Sequence, residues 1–145
     1  MIKIKIISSK ETYSVRQPVL RAGKPIESCL FDGDDLETTK HFGLYFDENL
    51  VGVVSVFENK SNNFHDEYQM QIRGMAVLEE YQKKGLGNFL INQTEEYAKF
   101  QNASLLWFNA RETAVAFYEK LNYTIIGSAF EIQNIGIHYV MYKHL

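Results

Sequence analysis

Gln82-Lys83-Lys84-Gly85-Leu86-Gly87 stands between a strand-like run, Tyr68 to Val77, and a helical pattern, Gly85 to Phe100. Two glycines alternating at such a junction let the backbone turn sharply and present free amide hydrogens. With the positive end of the following helix, those amides suit a phosphate or pyrophosphate. The physics specifies an anion without naming it. A Walker-type loop needs Gly-x-x-x-x-Gly-Lys-Ser/Thr, and no Lys-Ser or Lys-Thr follows these glycines, which excludes ATP or GTP binding by that route. A dinucleotide fingerprint needs a third glycine where Leu90 stands, and the first βα unit instead of a late one. Taken alone, a Gly-x-Gly before a helix also reads as an ordinary tight turn.

Outward from this stretch, the strand before it carries an interior Gly74, which suggests a bulge or a close backbone approach. After the helix, Ser104 to Phe108 is a short apolar strand. Glu112 to Leu121 is helical, with Ala114, Phe117, Tyr118 and Leu121 on one face and Asn122 as a left-handed stop. Tyr123 to Gly127 and Ile137 to Tyr142 read as two closing strands. Toward the N-terminus, Ile2, Ile4 and Ile6 alternate with Lys3 and Lys5, a half-buried strand with the isoleucines inward. Ser8 to Glu11 places a hydroxyl cap before an acid, opening a helix to about Arg21 that Pro18 kinks or ends. Residues 22 to 40 form a long loop with one short helix. His41 to Phe46 and Leu50 to Phe57 form a hairpin across Asp47-Glu48-Asn49. The order predicts a single domain over residues 1 to 145, of α/β (α+β) class, with a mixed sheet.

The 145 residues and 16.8 kDa suit one compact domain. A hydrophobic fraction of 46% with 10 Phe, 9 Tyr and 1 Trp supplies a full core, which excludes intrinsic disorder. No apolar run approaches the ~20 residues of a membrane span. The alternating start does not read as a signal peptide, so a cytoplasmic location is the default expectation. Cys29 is the one cysteine, leaving no internal disulfide and no cysteine-based zinc site; no metal is expected. A net charge of −3 and a pI near 5.8 make nucleic acid a poor partner.

Met75-Ala76-Val77 followed by Gln82, Gly85 and Gly87 resembles the acetyl-CoA-binding motif Gln/Arg-x-x-Gly-x-Gly/Ala of the GNAT superfamily of N-acetyltransferases. The resemblance extends through Asn109-Ala110-Arg111. It continues through Ala116-Phe117-Tyr118-Glu119-Lys120-Leu121-Asn122-Tyr123, similar to the family's A-x-x-F-Y-x-K-x-G-F with Asn for Gly. It implies a mostly antiparallel sheet flanked by helices, with its central strands splayed near Gly74. It also implies acetyl-CoA as co-substrate. The backbone of Met75, Ala76 and Val77 would pair with the pantetheine arm. Amides from Gln82 through Lys83, Lys84, Gly85 and Leu86 to Gly87 would hold the pyrophosphate, with Lys83 or Lys84 near the outer phosphates. Asn109 would bond the arm and Phe117 would line the cofactor. Tyr118 would act as the catalytic residue beside the thioester sulfur. Apart from the resemblance, Lys83 and Lys84 also read as solvated lysines and Tyr118 as core.

On the acceptor side, Glu27, Asp32, Asp34, Asp35 and Glu37 put five acids in eleven residues with no Lys or Arg among them. In the family this region helps form the acceptor pocket. An acidic loop there would draw a cationic amine through Asp34 and Asp35, and a solvated loop with one of them as a helix cap is the other reading. Arg73 is a candidate for ordering the site or meeting an acceptor carboxylate. His65 with Asp66 is a weaker base candidate, and Cys29 reads better as a buried thiol than as a nucleophile. Together these features predict transfer of an acetyl group to a primary amine of a small molecule or peptide. The alternatives are a non-catalytic CoA-binding or sensor module and a pure interaction domain. The general base and the oligomeric state, a homodimer included, stay open.

Overall fold

The computed structural model describes residues Met1–Leu145. Seven strands form a sheet in the order β1-β2-β3-β4-β5-β7-β6. Their ranges are β1 Ile2–Ile7, β2 Lys40–Phe46, β3 Asn49–Glu58, β4 Gln69–Val77, β5 Leu105–Arg111, β6 Thr124–Ile132 and β7 Gly136–His144. Three α-helices accompany them: α1 Tyr13–Leu20, α2 Leu86–Phe100 and α3 Val115–Glu119. The chain divides into two compact units, Met1–Phe57 with Ile72–Tyr97, and Glu58–Gln71 with Ala98–Leu145.

In the first unit, β1, β2 and β3 form an antiparallel meander. Asp47 and Glu48, both at positive φ (47° and 72°), make the two-residue turn whose twist suits a hairpin. The predicted capping box is present. Ser8 N donates to Glu11 Oε1 at 2.9 Å and Glu11 N to Ser8 Oγ at 3.2 Å. It opens a 3-10 turn, Lys10–Thr12, before α1, and Pro18 sits inside the helix without ending it. β3 is buried continuously from Val51 to Phe57 because both faces of the sheet are covered. Ile7, Val15, Val53 and Ala76 form the core under α1, with Val19 and Leu20 against it. On the other face Phe42 meets Tyr97 of α2 at 5.6 Å between ring centroids. The alternation expected of β1 holds for half-buried Ile2 and Ile4 against exposed Lys3 and Lys5, and fails at Ile6. Ile7, on the face of Lys3 and Lys5, enters the core, whereas Ile6 is 66% exposed. The reason is that α1 packs over the Ile7 end of this edge strand.

In the second unit, β7 pairs antiparallel with both β5 and β6, so the last strand to leave the chain lies between its two predecessors. The parallel ladder of β4 with β5 joins Gln69 to Leu105, Met70 to Leu106 and Gln71 to Trp107, and runs no further. Trp107 Nε1 donates to the Asn59 carbonyl at 2.9 Å, tying the loop after β3 to this unit. The predicted final helix is shorter than expected, a 3-10 turn over Glu112–Ala114 followed by five residues of α3. Asn122, at φ 73°, stops it as expected.

Candidate active site

In the first unit, β4 departs from strand geometry at Gly74, whose φ is +64°. A Cβ there would lie 2.9 Å from Phe31 Cε2 and 3.2 Å from Arg16 Nε, so glycine serves both the bend and the close approach. Beyond β4 a 3-10 turn, Glu79–Tyr81, leads into the glycine loop. Gln82 Nε2 donates to the Val77 carbonyl at 2.8 Å and ties the loop to the strand end. Lys83 and Gly85 both have positive φ, 61° and 78°, with Lys84 of the opposite hand between them. Such alternation turns successive amides toward one side, forming a concavity for an anion. The amides of Lys83, Lys84 and Gly85 have no acceptor among the turn and loop hydrogen bonds. The first turn of α2 carries no acidic residue, so its positive end is uncompensated by its own side chains. Leu86 and Leu90 anchor that turn in the core, Gly87 is half-buried, and Lys83 is exposed. Lys84 Nζ lies over the Tyr81 ring at 5.5 Å.

The acid-rich loop between α1 and β2 differs from its expected electrostatics. Asp34 is buried, and its carboxylate receives Arg16 Nη1 at 2.6 Å and Nη2 at 3.1 Å, with the Phe31 amide at 2.9 Å. It is therefore withdrawn from any acceptor. The partner missing within the loop comes from α1, eighteen residues away. Arg16 also donates to the Cys29 carbonyl at 2.7 Å and to Ser55 Oγ at 2.9 Å, leaving Nε as a buried donor without a partner. His41 Nε2 donates to the Asp34 carbonyl at 2.8 Å, and Ser55 Oγ lies 2.6 Å from His41 Nδ1. Asp35 is exposed and accepts from Ser9 Oγ at 2.6 Å. Cys29 is buried, and that burial pushes its thiol pKa up, as befits a structural thiol. Arg73 donates through Nη1 to the Asp32 carbonyl at 3.0 Å. Its Cζ lies 5.0 Å from the Phe57 ring centroid and 5.3 Å from that of Phe31. Burial pulls the Arg73 pKa down, with the Asp34 carboxylate opposing it.

Sequence reasoning missed Arg16, Arg21 and Phe31. The available signal was Arg16 itself, standing three and four residues before the core-facing Val19 and Leu20. A charge on an apolar helix face needs a buried counterion, and the acid-rich loop was the nearest source.

In the second unit, Asn109 is exposed on β5 in register with Val140 of β7. Tyr118 packs on Phe108, Phe117 and Tyr123 at centroid distances of 4.4, 5.1 and 6.2 Å. Burial pushes its phenol up to about 12, so it is fully protonated at neutral pH. His65 is exposed and does not meet Asp66 as a dyad. Asp66 Oδ2 instead accepts from Ser104 Oγ at 2.6 Å and lies 3.7 Å from His144 Nδ1. No helix of the chain is long and apolar enough to cross a membrane.

A family model described as Acetyltransferase (GNAT) family matches residues 9–123. The chain is 33% identical over 145 residues to YitI of Bacillus subtilis (strain 168), described as an uncharacterized N-acetyltransferase. That match covers 100% of this chain and 97% of the relative. Among solved structures, a putative N-acetyltransferase from Lactobacillus plantarum superposes with a TM-score of 0.80 at 21% identity, covering 99% of this chain and 98% of the other. A GNAT family acetyltransferase from Elizabethkingia anophelis with acetyl-CoA bound gives 0.72 at 14% identity, covering 99% and 98%.

Proposed function

Because this chain belongs to the GNAT family of acetyltransferases, and so is an acyltransferase, we propose that it transfers the acetyl group of acetyl-CoA to a primary amine by direct attack. The observation that carries this reading is the alternately handed Lys83–Gly85 turn, whose amides lead into an α2 terminus without acidic residues. The Gln82 amide, expected to join them, already donates to the Glu79 carbonyl at 3.2 Å, so the amides of residues 83 to 87 receive the pyrophosphate, and the Met75–Val77 backbone receives the pantetheine arm. Gln82 supports the loop from below through Val77. Lys83 and Lys84 meet the outer phosphates; Asn109 and Phe117 are assigned to the cofactor by the family resemblance.

The acceptor nitrogen attacks as the free base, the minority form of an aliphatic amine with a pKa near ~10.4. Its lone pair forms a bond to the thioester carbonyl carbon, the C–S bond breaks, and the electron pair leaves on sulfur. The nitrogen then loses a proton as the amide forms. Tyr118 donates a hydrogen bond to the departing thiolate. With its phenol at about 12 and a thiol near ~8.5, full proton transfer runs uphill on the order of 5 kcal/mol. Tyr118 therefore stabilises the developing charge without surrendering its proton.

Calorimetry with acetyl-CoA, followed by thiol release over a panel of amines, tests the reading. Saturable binding and amine-dependent release are the expected results. Undetectable binding of acetyl-CoA to the folded protein would overturn it.

A further inference from the structure

Three guanidinium groups surround the half-buried Phe31. The Cζ atoms of Arg16, Arg21 and Arg73 lie 3.9, 4.9 and 5.3 Å from its ring centroid. Arg16 is ion-paired with Asp34, whereas Arg21 and Arg73 form no ion pair, the Asp34 and Asp32 carboxylates acting on Arg73 only from a distance. Arg73 donates only to the Asp32 carbonyl, and Arg21 to the carbonyls of Ser28 and Leu20 at 3.3 and 3.0 Å. A guanidinium has five donors, so each retains unused ones. Both side chains are partly exposed and so reachable from solvent.

From this arrangement we infer that the acceptor amine carries a carboxylate, which Arg73 and Arg21 bind beside Phe31. The inference rests on the acetyltransferase reading above and deepens it. A cationic acceptor would meet two guanidinium groups that form no ion pair here, whereas a carboxylate matches the planar fork of a guanidinium bidentately. The aromatic faces of Phe31 and Phe57 hold Arg73 in place before the ligand arrives, which limits the ordering cost of binding. Arg73 stands two residues before Met75 on β4, with the Gly74 bend between them. The carboxylate thus lies a short span from the backbone proposed for the thioester arm, and the acceptor class is a small amine with its acid group a few bonds away. Asp32, Asp35, Glu27 and Glu37 remain exposed on the loop, and none of them pairs with either arginine.

The test compares amino acids with their carboxamides as acceptors, following thiol release, and takes the acid-to-amide ratio of kcat/KM. Differences in amine basicity cancel when that ratio is compared between wild type and variant. Arg73→Gln should lower the ratio about 10-fold or more, chiefly through acceptor KM, and Arg73→Lys should retain part of it. Arg21→Gln, at a position that does not shape β4, should lower the ratio several-fold and keeps the test open if the Arg73 variants fail to fold. Ratios equal to wild type in the folded variants would overturn the carboxylate inference and leave the acetyltransferase reading standing. Absence of thiol release with every amine would overturn the acetyltransferase reading and the inference with it.

Discussion

Tyr118 illustrates how environment assigns a role to one side chain. Its ring belongs to the aromatic cluster of Phe108, Phe117 and Tyr123, and the same burial keeps its hydroxyl protonated. Tyr118→Phe keeps the ring and removes the donor. A hydrogen bond to a charged group contributes about 1.5 to 3 kcal/mol, so kcat should fall roughly 10- to 100-fold with the KM for acetyl-CoA nearly unchanged. Steady-state kinetics decides: a raised cofactor KM at constant kcat would make the hydroxyl a binding group. The two neighbouring acids of the loop before β2 should separate as sharply. Asp34→Asn leaves the buried Arg16 charge poorly compensated and should cost about 3 kcal/mol or more in urea unfolding. Asp35→Asn, exposed and bonded to Ser9, should cost about 1 kcal/mol or less. Equal small costs at both positions would contradict the buried ion pair.

At the scale of the element, the end of β4 and the start of α2 work as one device. Gly87→Glu brings a carboxylate to the positive end of α2, where the pyrophosphate is proposed to sit. Acetyl-CoA affinity measured by calorimetry should drop at least 10-fold while the circular dichroism spectrum stays that of the parent. An unchanged affinity would remove this helix end from the cofactor site. Gly74→Ala tests the bulge. Its φ of +64° and the 2.9 Å approach to Phe31 together predict a loss of roughly 2 kcal/mol in stability. The displaced Phe31 should also weaken acceptor binding more than cofactor binding. A neutral substitution would mean that β4 can straighten without cost.

For the molecule as a whole, the buried acids set an alkaline limit. In the native state Tyr118 holds its proton up to about 12, whereas in the unfolded chain it releases it near ~10. The unfolded state then binds fewer protons, so stability falls as pH rises between those values. Below about pH 10 the contribution is complete; above about pH 12 it is spent. The raised thiol of Cys29 acts with the same sign from its own ordinary range upward. Denaturation midpoints recorded from pH 8 to 12 should decline at the alkaline end, less steeply in Tyr118→Phe. A parallel decline in both proteins would show that Tyr118 is not the group responsible.

The sequence by itself determined what depends on near neighbours. The Ser8–Glu11 capping box, the Asp47–Glu48 turn, the Asn122 stop and the glycine loop each involve groups within a few residues, so spacing and side-chain chemistry sufficed. The match from Met75 to Tyr123 carried the family and the fold class with it. Tertiary structure decided whatever depends on distant partners. It placed β7 between β5 and β6, turned Ile7 instead of Ile6 into the core, and joined Asp34 to an arginine of α1. Hydrophobic period records that a face is buried but not which layer covers it, and an acid's position in the chain does not reveal which cation will neutralise it. That pairing removed Asp34 from the solvent-facing loop and left Arg21 and Arg73 as the guanidinium groups beside Phe31 that form no ion pair.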